Sequence, residues 1–180
     1  GDRRWVSLLA DSIFGERGAR EYVILTLTDV TEAKLQHTLQ SKALEAIAHD
    51  LPSDAVLHIL CQEVERIIPH VYACVVGADA GGALYTHASP SLPLCREIRK
   101  IRVSNNDSPS GRAIFTGQDI METDIAGSDY SDFVKKLLHS LHIRSCLSCP
   151  ILSGKGRVLG VVSLYSTLQE APGELQTRID

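Results

Sequence analysis

The sequence lacks the features that would point directly to a membrane or a nucleic acid. None of its apolar runs reaches the roughly 18 residues that a membrane-spanning helix needs, and its first residues do not form a signal peptide. Its 18 lysines and arginines are outnumbered by 22 aspartates and glutamates. Because binding to a phosphate backbone normally needs a basic face, nucleic acid is not an expected partner.

The sequence contains few cysteines, and their number is odd. Five cysteines occur in 180 residues, without the tight spacing of a disulfide framework. Reduced thiols are typical of the cytosol, so a cytoplasmic location is expected. The C-terminal third, residues 110–166, also contains no cluster of side chains arranged to make or break a covalent bond.

The composition that is present, 44% hydrophobic and 22% charged residues, is ordinary for a folded protein. The length suffices for one domain of ~100–150 residues and a further fragment. At the start, residues 4–9 and 22–28 are rich in aromatic and β-branched residues, with turn residues at 14–18, and predict an antiparallel hairpin. Two strands alone are marginal in water, so we expect the rest of their sheet upstream, in a longer multi-domain protein.

After Asp29 the hydrophobic period changes from two to about 3.6, which predicts a helix capped by Asp29 or Thr31. Pro52 disfavours helix in the residue before it and ends this element. The pattern suits a connector or one strand of a parallel coiled coil, and a helix packed on its own domain is an equal alternative. The apolar stripe of this helix consists of Leu35, Leu39, Ala43 and Ala46.

The rest of the chain alternates hairpins with helices. This order predicts an α+β fold: an antiparallel sheet of about five or six strands, with helices on one face and loops plus a short helix on the other. A cavity between the sheet and the loop face is where such a domain would bind a small molecule. The predicted helices are 53–68, a short one at 94–99, 110–117, 131–141 and one from Pro172; the predicted strands are 72–78, 83–88, an edge strand at 101–103, 119–124, 144–152 and 157–166.

The C-terminal third contains four motifs: Gly111-x-Ala113-x-x-Thr116-Gly117-Gln118, Asp124-Ile125, Ile143-Arg144-Ser145-Cys146-x-Ser148-x-Pro150-Ile151 and Gly156-Arg157-Val158-Leu159-Gly160-x-x-Ser163-Leu164-Tyr165. They resemble the motifs of GAF domains, most closely those between a PAS sensor and GGDEF and EAL domains in bacterial cyclic-di-GMP signalling proteins. The resemblance covers about residues 50–180. Upstream, residues 20–32 carry a D-V-T-E motif and resemble the end of a PAS domain with its D-[IV]-T-E exit motif.

The resemblance implies three segments: the C-terminal hairpin of a truncated PAS domain at 1–30, a signalling helix at 31–50 and a GAF domain at 51–180. It implies a regulatory sensor and dimerisation module, forming a homodimer through its terminal helices. The module would relay a signal to a diguanylate cyclase or cyclic-di-GMP phosphodiesterase. No GGDEF or EAL motif lies in this chain, so that catalysis is not expected here.

If a small-molecule ligand binds, we expect it near Tyr85, Asp124, Tyr130, Phe133 and Cys146. The ligand itself and any cofactor remain unassigned. The N-K-x-x-x-F-x-x-x-D-E set of cyclic-nucleotide GAF domains is missing. Covalent bilin attachment is also not expected, because no cysteine occurs between Arg96 and Ser145.

Two alternatives to the sensor remain open. One is a thiol-dependent GAF-type reductase of free methionine sulfoxide; such relatives carry a cysteine just before the glycine that matches Gly111, where this chain has Ser110. The other is a ligand-free scaffold that serves only dimerisation.

Two pairs of residues invite a metal or redox interpretation. Cys146 and Cys149 are three apart on a predicted strand, where side chains alternate, so we expect them on opposite faces and unable to share a metal or a disulfide. His139 and His142 sit three apart at a helix end without an evident third ligand. No metal site is therefore expected.

Overall fold

The computed structural model describes residues 5–14, 20–93 and 97–169. Residues 15–18 of the turn predicted at 14–18, and the helix predicted from Pro172, lie outside these residues. In chain order the elements are β1 (Val6–Phe14), β2 (Arg20–Asp29), α1 (Thr31–Ala48), α2 (Ser53–Ile67), β3 (Val71–Ala78), β4 (Leu84–Ala88), a 3₁₀ helix (Glu97–Lys100), α3 (Pro109–Thr116), β5 (Ile120–Glu122), α4 (Asp132–Ser140), β6 (Ser145–Leu152) and β7 (Val158–Ser166).

The main sheet has five strands in the order β4-β3-β7-β6-β5, and every neighbouring pair is antiparallel. The predicted α+β class with a five- or six-stranded antiparallel sheet is confirmed. Since side chains alternate along each strand, the sheet buries residues on both faces. On one face α2 packs through Leu57, Cys61 and Val64. On the other, the 3₁₀ helix, α3 and α4 contribute Ile98, Ala113, Val134 and Leu138 to the larger core.

The short helix α3 is fixed at both ends by local chemistry. The Ser108 hydroxyl accepts a hydrogen bond from the Gly111 N–H at 2.9 Å, and Pro109 occupies the first turn, where a missing N–H costs nothing. Gly117 ends the helix with a φ of 67°, a left-handed conformation that glycine adopts without strain. The predicted glycine stop at this position is confirmed.

The N-terminal hairpin forms a separate two-stranded sheet. In its register Leu8 faces Leu27 and Ala10 faces Leu25, so these side chains and Val6 share one face. Leu8, Leu25 and Leu27 are 62%, 63% and 71% exposed. Within the described residues nothing covers this apolar face.

Helix α1 follows the hairpin directly. Its N-cap residue is Val30, not Asp29 or Thr31, and the Asp29 carboxylate instead accepts a hydrogen bond from the Thr31 N–H at 2.9 Å. Of the apolar stripe predicted for this helix, Leu35, Leu39 and Ala43 are half-buried. Ala46 is buried, with 3% exposure, where α1 meets α2. The end of α1 therefore packs on its own chain.

The predicted edge strand at 101–103 is wrong, since only an isolated bridge between Ala83 and Arg102 forms there. The Arg102 N–H donates to the Asp107 carboxylate at 2.6 Å and is thereby withdrawn from a strand ladder. The short helix predicted at 94–99 takes the form of the 3₁₀ helix in the described residues.

Gly111→Ala is expected to destabilise the protein. A Cβ at this position would lie 2.4 Å from the Arg102 carbonyl oxygen and 3.0 Å from the Ser108 Oγ, and neither atom belongs to the far end of a flexible side chain. We expect the overpacking to outweigh the gain in helix propensity and to lower the free energy of unfolding by about 1–3 kcal/mol. Urea denaturation measures this.

Gly154→Ala is the matched control, because a Cβ there meets nothing within 4 Å. It should change the free energy of unfolding by no more than about 0.5 kcal/mol. Equal effects of the two substitutions would contradict the tight contact between α3 and the 102 backbone.

Candidate functional site

A small cavity lies between the main sheet and the helices of the loop face. Its volume is about 10 Å³, roughly the room that one water molecule occupies. Sheet residues form its floor, and the 3₁₀ helix, α3 and α4 form its walls. The lining residues are Leu84, Ile98, Ile101, Ser108, Pro109, Ser110, Val134, Leu137, Leu138 and Tyr165.

A chain of buried hydroxyl groups borders this cavity. The Ser110 Oγ lies 2.9 Å from both the Ser163 Oγ and the Tyr165 hydroxyl, and the Ser163 Oγ lies 2.8 Å from the Ser148 Oγ. All four residues are buried. Because a buried hydroxyl without a partner is costly, this chain fixes α3 over β6 and β7.

The two C-terminal strands position three of the four hydroxyls. Ser148 and Ser163 are directly opposite one another in the β6–β7 ladder, as are Cys146 and Tyr165. Residues two apart on a strand share a face, so Ser163 and Tyr165 both point toward α3. Ser110 reaches them from the first turn of α3.

The site is electrically neutral. Burial raises the pKa of Tyr165 well above its ordinary value, with a further increase from the neighbouring thiols Cys74 and Cys146. Burial also raises the pKa of both thiols. The tyrosine and both cysteines therefore remain protonated at neutral pH, and among the described residues the cavity lining contains no charged side chain.

Two of the five predicted ligand-binding residues are buried. Cys146 is fully buried and belongs to the larger core. Tyr130 is 2% exposed, and its hydroxyl has no hydrogen-bond partner within the described chain. Burial raises the pKa of Tyr130 and the Arg112 guanidinium opposes this increase. The Arg112 guanidinium lies 4.5 Å from the ring centre and also bonds Asp129.

Tyr85 lies on the other face of the sheet, away from the cavity. Its ring contacts the His87 ring edge-on at 4.9 Å, and the His87 Nδ1 lies 2.7 Å from the Asp54 carboxylate at the start of α2. Tyr85 also covers the backbone of Gly77. These contacts give Tyr85 a packing role beside α2.

Asp124 and Phe133 lie outside the cavity lining. The Asp124 carboxylate accepts a hydrogen bond from the Gly127 N–H at 3.1 Å and shapes an exposed loop. Phe133 is 37% exposed, with the Lys100 ammonium 5.4 Å from its ring centre. Within the described residues, none of the five predicted ligand-binding residues lines the cavity.

The hydroxyl chain was not predicted as a site. Its signal in the sequence is the two-residue spacing of Cys146 and Ser148 and of Ser163 and Tyr165, which puts polar residues on the inward face of two buried strands. The sequence points to Ser110 only as the residue that stands where the reductase relatives carry a cysteine.

The prediction that Cys146 and Cys149 occupy opposite faces is confirmed. Cys146 pairs with Tyr165 of the larger core, whereas Cys149 pairs with Val162, which packs in the cluster beside α2. Burial, followed by the nearby Asp119 carboxylate, raises the pKa of Cys149 to about 11.

His139 and His142 are both exposed. Within the described ranges no three histidines, cysteines or carboxylates gather into a possible metal site. In the same residues, no helix combines the length and apolar character required to traverse a bilayer.

Comparisons with known proteins agree on one family. The family model described as GAF domain matches residues 50–178. The methyl sulfide methyltransferase-associated sensor of Methanosarcina acetivorans is 28% identical over 180 residues, covering 97% of this chain. This chain spans only 18% of the length of that relative.

Two solved structures illustrate the likeness of fold. A protein assigned as a GAF sensor from Burkholderia vietnamiensis has a TM-score of 0.58 at 18% identity, over 76% of this chain and 80% of that one. A free methionine-R-sulfoxide reductase from Neisseria meningitidis, bound to its substrate, has a TM-score of 0.59 at 18% identity, over 79% and 78%. At such identity these structures show the fold alone.

Alkaline pH should weaken the fold through its buried thiols. Burial, followed by the Glu65 carboxylate, raises the pKa of Cys61 from 9.0 to about 11. Since the folded value exceeds the unfolded one, the stabilisation is complete below pH 9 and is lost as pH rises toward 11. We expect the urea midpoint to fall between pH 8 and pH 10.5, and to fall less in Cys61→Ala. An identical fall in both proteins would contradict this.

Proposed function

Because the chain belongs to the GAF domain family, we propose that it is the regulatory sensor module of a signal-transduction protein. The observation that carries this proposal is the buried pocket, whose hydroxyl-bearing lining contains neither a charged side chain nor a thiol in the described residues. Such a site can hold and report a molecule without altering it. The archaeal relative named as a sensor, matched over 97% of this chain, supports the same role.

The reductase alternative is favoured by the fold likeness to free methionine-R-sulfoxide reductases. That chemistry needs a reactive thiolate to attack the sulfoxide sulfur, because the thiolate is the nucleophilic form of cysteine. At the position implied for this cysteine, Ser110 is buried and hydrogen-bonded to Ser163 and Tyr165. The pKa of the nearby Cys146 is raised by burial, which suppresses its thiolate. The sensor is therefore the better-supported function.

The scaffold alternative is favoured by the cavity volume of about 10 Å³. In that case the pocket would stay closed and the domain would act through dimerisation alone. Native mass spectrometry after gentle purification separates the two functions: a stoichiometric small molecule would exclude a permanently closed pocket.

The segment boundaries follow as part of the proposal: a PAS hairpin at 1–30, a signalling helix at 31–50 and the GAF domain at 51–180. The exposed apolar face around Leu8 and Leu27 supports an origin in a larger sheet, because two strands alone are marginal in water. Helix α1 joins this hairpin to α2, so a displacement of either end can pass along it.

We further propose that the module forms a homodimer through α1. Leu44 and Ile47 are 67% and 61% exposed. They lie three residues apart in α1, which is the spacing of neighbouring seam positions in a coiled coil. A second copy of this chain, aligned along the same ridge, would cover both side chains.

The output proposed for the whole protein is a diguanylate cyclase or cyclic-di-GMP phosphodiesterase in the cytoplasm. Its support is the motif resemblance around residues 143–165. Assaying the full-length protein for synthesis and hydrolysis of cyclic-di-GMP tests this output, and the absence of both activities would remove it while leaving the sensor role intact.

The sensor proposal predicts no thiol-dependent turnover of free methionine sulfoxide. The purified chain, incubated with dithiothreitol and free methionine-R-sulfoxide, should release methionine no faster than a buffer blank. Chromatography of the amino acids measures it. Release that disappears in Cys146→Ser would establish the reductase and overturn the choice made here.

The double substitution Leu44→Glu with Ile47→Glu should convert a dimer to a monomer, because four glutamates would face one another along the seam. Light scattering coupled to size-exclusion chromatography measures the mass. Lys42→Glu changes the net charge by the same two units on the opposite side of α1, where the Lys42 side chain is 42% exposed, and should leave the dimer intact. A wild-type chain that stays monomeric at high concentration would refute dimerisation through α1.

A further inference from the structure

The cavity walls offer nothing to balance a charge. Around the hydroxyls the lining is aliphatic, from residues such as Leu84, Ile98 and Leu138. The guanidinium of Arg112 on α3 is engaged by Asp129 and by the Tyr130 ring. Burying an unpaired ion costs far more than burying a neutral polar group, so an ion would be rejected on electrostatic grounds.

Ser148, Ser163, Ser110 and Tyr165 form a run of hydroxyl groups in which either member of each contact can be the donor. If Ser148 is the first donor, the last proton of the run belongs to Tyr165, which lines the cavity.

A second spare donor lies beside it. The Ser108 Oγ accepts the Gly111 N–H, and no acceptor for its own proton is found among the described residues. Ser108 also lines the cavity. With two hydroxyl donors available and no charge, the complementary guest is one that accepts a hydrogen bond.

Helix α4 covers the cavity with Val134, Leu137 and Leu138, whose contacts are apolar and non-directional. Near its N-terminus, the Ser131 Oγ donates to the Asp107 carbonyl and the Lys135 Nζ donates to the Ser128 carbonyl, both at 3.1 Å. An outward shift of the helix centre would enlarge the cavity beyond the space of one water.

We infer that the pocket takes a small, electrically neutral molecule bearing a hydrogen-bond acceptor, and that it excludes anions and cations of the same size. This inference rests on the proposed sensor function and names the chemical class of what is sensed. Tyr165 and Ser108 donate hydrogen bonds to the acceptor, and α4 moves outward to make room for the apolar part of the molecule.

Four probes test the inference by NMR titration of the whole chain at pH 7. Acetone is a neutral acceptor, acetate an anion and isopropylammonium a cation of similar size, and xenon is apolar without an acceptor. Acetone should shift the signals of Ile98, Leu137 and Leu138 saturably. Small ligands gain limited free energy per atom, so the expected Kd is on the order of millimolar. Acetate and isopropylammonium should cause no saturable shift there, and xenon should bind more weakly.

Tyr165→Phe removes one donor with little change of volume and should weaken acetone binding about 3- to 10-fold. Tyr72→Phe is the matched control, because Tyr72 lies directly opposite Tyr165 in the β3–β7 ladder and does not line the cavity. It should leave acetone binding unchanged. Leu137→Ala enlarges the cavity and should tighten acetone binding without removing a donor.

Three results would overturn the inference: equal binding of either ion, equal effects of the two tyrosine substitutions, or no saturable shift from any probe in both the wild type and Leu137→Ala. These outcomes can be distinguished from failure of the proposed sensor role. Thiol-dependent turnover of methionine sulfoxide would contradict the sensor role itself. A regulated dimer that does not bind acetone would contradict only the ligand class inferred here.

Discussion

A buried hydroxyl group without a partner is costly, and the hydrogen bonds of one chain of hydroxyls hold the loop face on the sheet. The inward positions of β6 and β7 hold Ser148, Ser163 and Tyr165, all of which are buried. Among the described residues of α3, Ser110 reaches both Ser163 and Tyr165. The close approach of Gly111 to the Arg102 backbone follows, because α3 cannot rise from the sheet without breaking these bonds.

The two faces of the main sheet consequently serve different purposes. The α2 face is held by aliphatic packing and by the His87–Asp54 contact at the start of that helix. The opposite face combines an aliphatic core with a polar, neutral patch and a small void. Since α2 continues from α1, the first face is mechanically tied to the proposed signalling helix. The pocket face is connected to α2 through the sheet and through the loop after β4, where Ser91 donates to Glu65 of α2 and the neighbouring Leu92 packs in the larger core.

Local rules predicted most of the fold and little of the site. The alternation of side chains along a strand correctly predicted that Cys146 and Cys149 lie on opposite faces of the sheet. The preference of glycine for helix ends correctly predicted that α3 stops at Gly117. Alternation cannot say which face of an isolated strand meets the pocket, so Tyr85 was expected near the ligand although it packs beside α2. The β3–β4 pairing also shifts register between Val75 and Val76. The hydroxyl chain joins residues 53 and 55 positions apart, and only tertiary structure brings these together.

The same fold can host sulfoxide reduction or sensing because the chemistry depends on a few inward side chains. A reductase needs a thiol whose pKa lies low enough to provide thiolate. Here the thiols nearest the pocket are buried, and their pKa values are raised by desolvation. The position implied for the nucleophile carries a serine that is already committed to the hydroxyl chain. Desolvation thus removes reactivity and leaves hydrogen bonding as the means by which this pocket can distinguish one molecule from another.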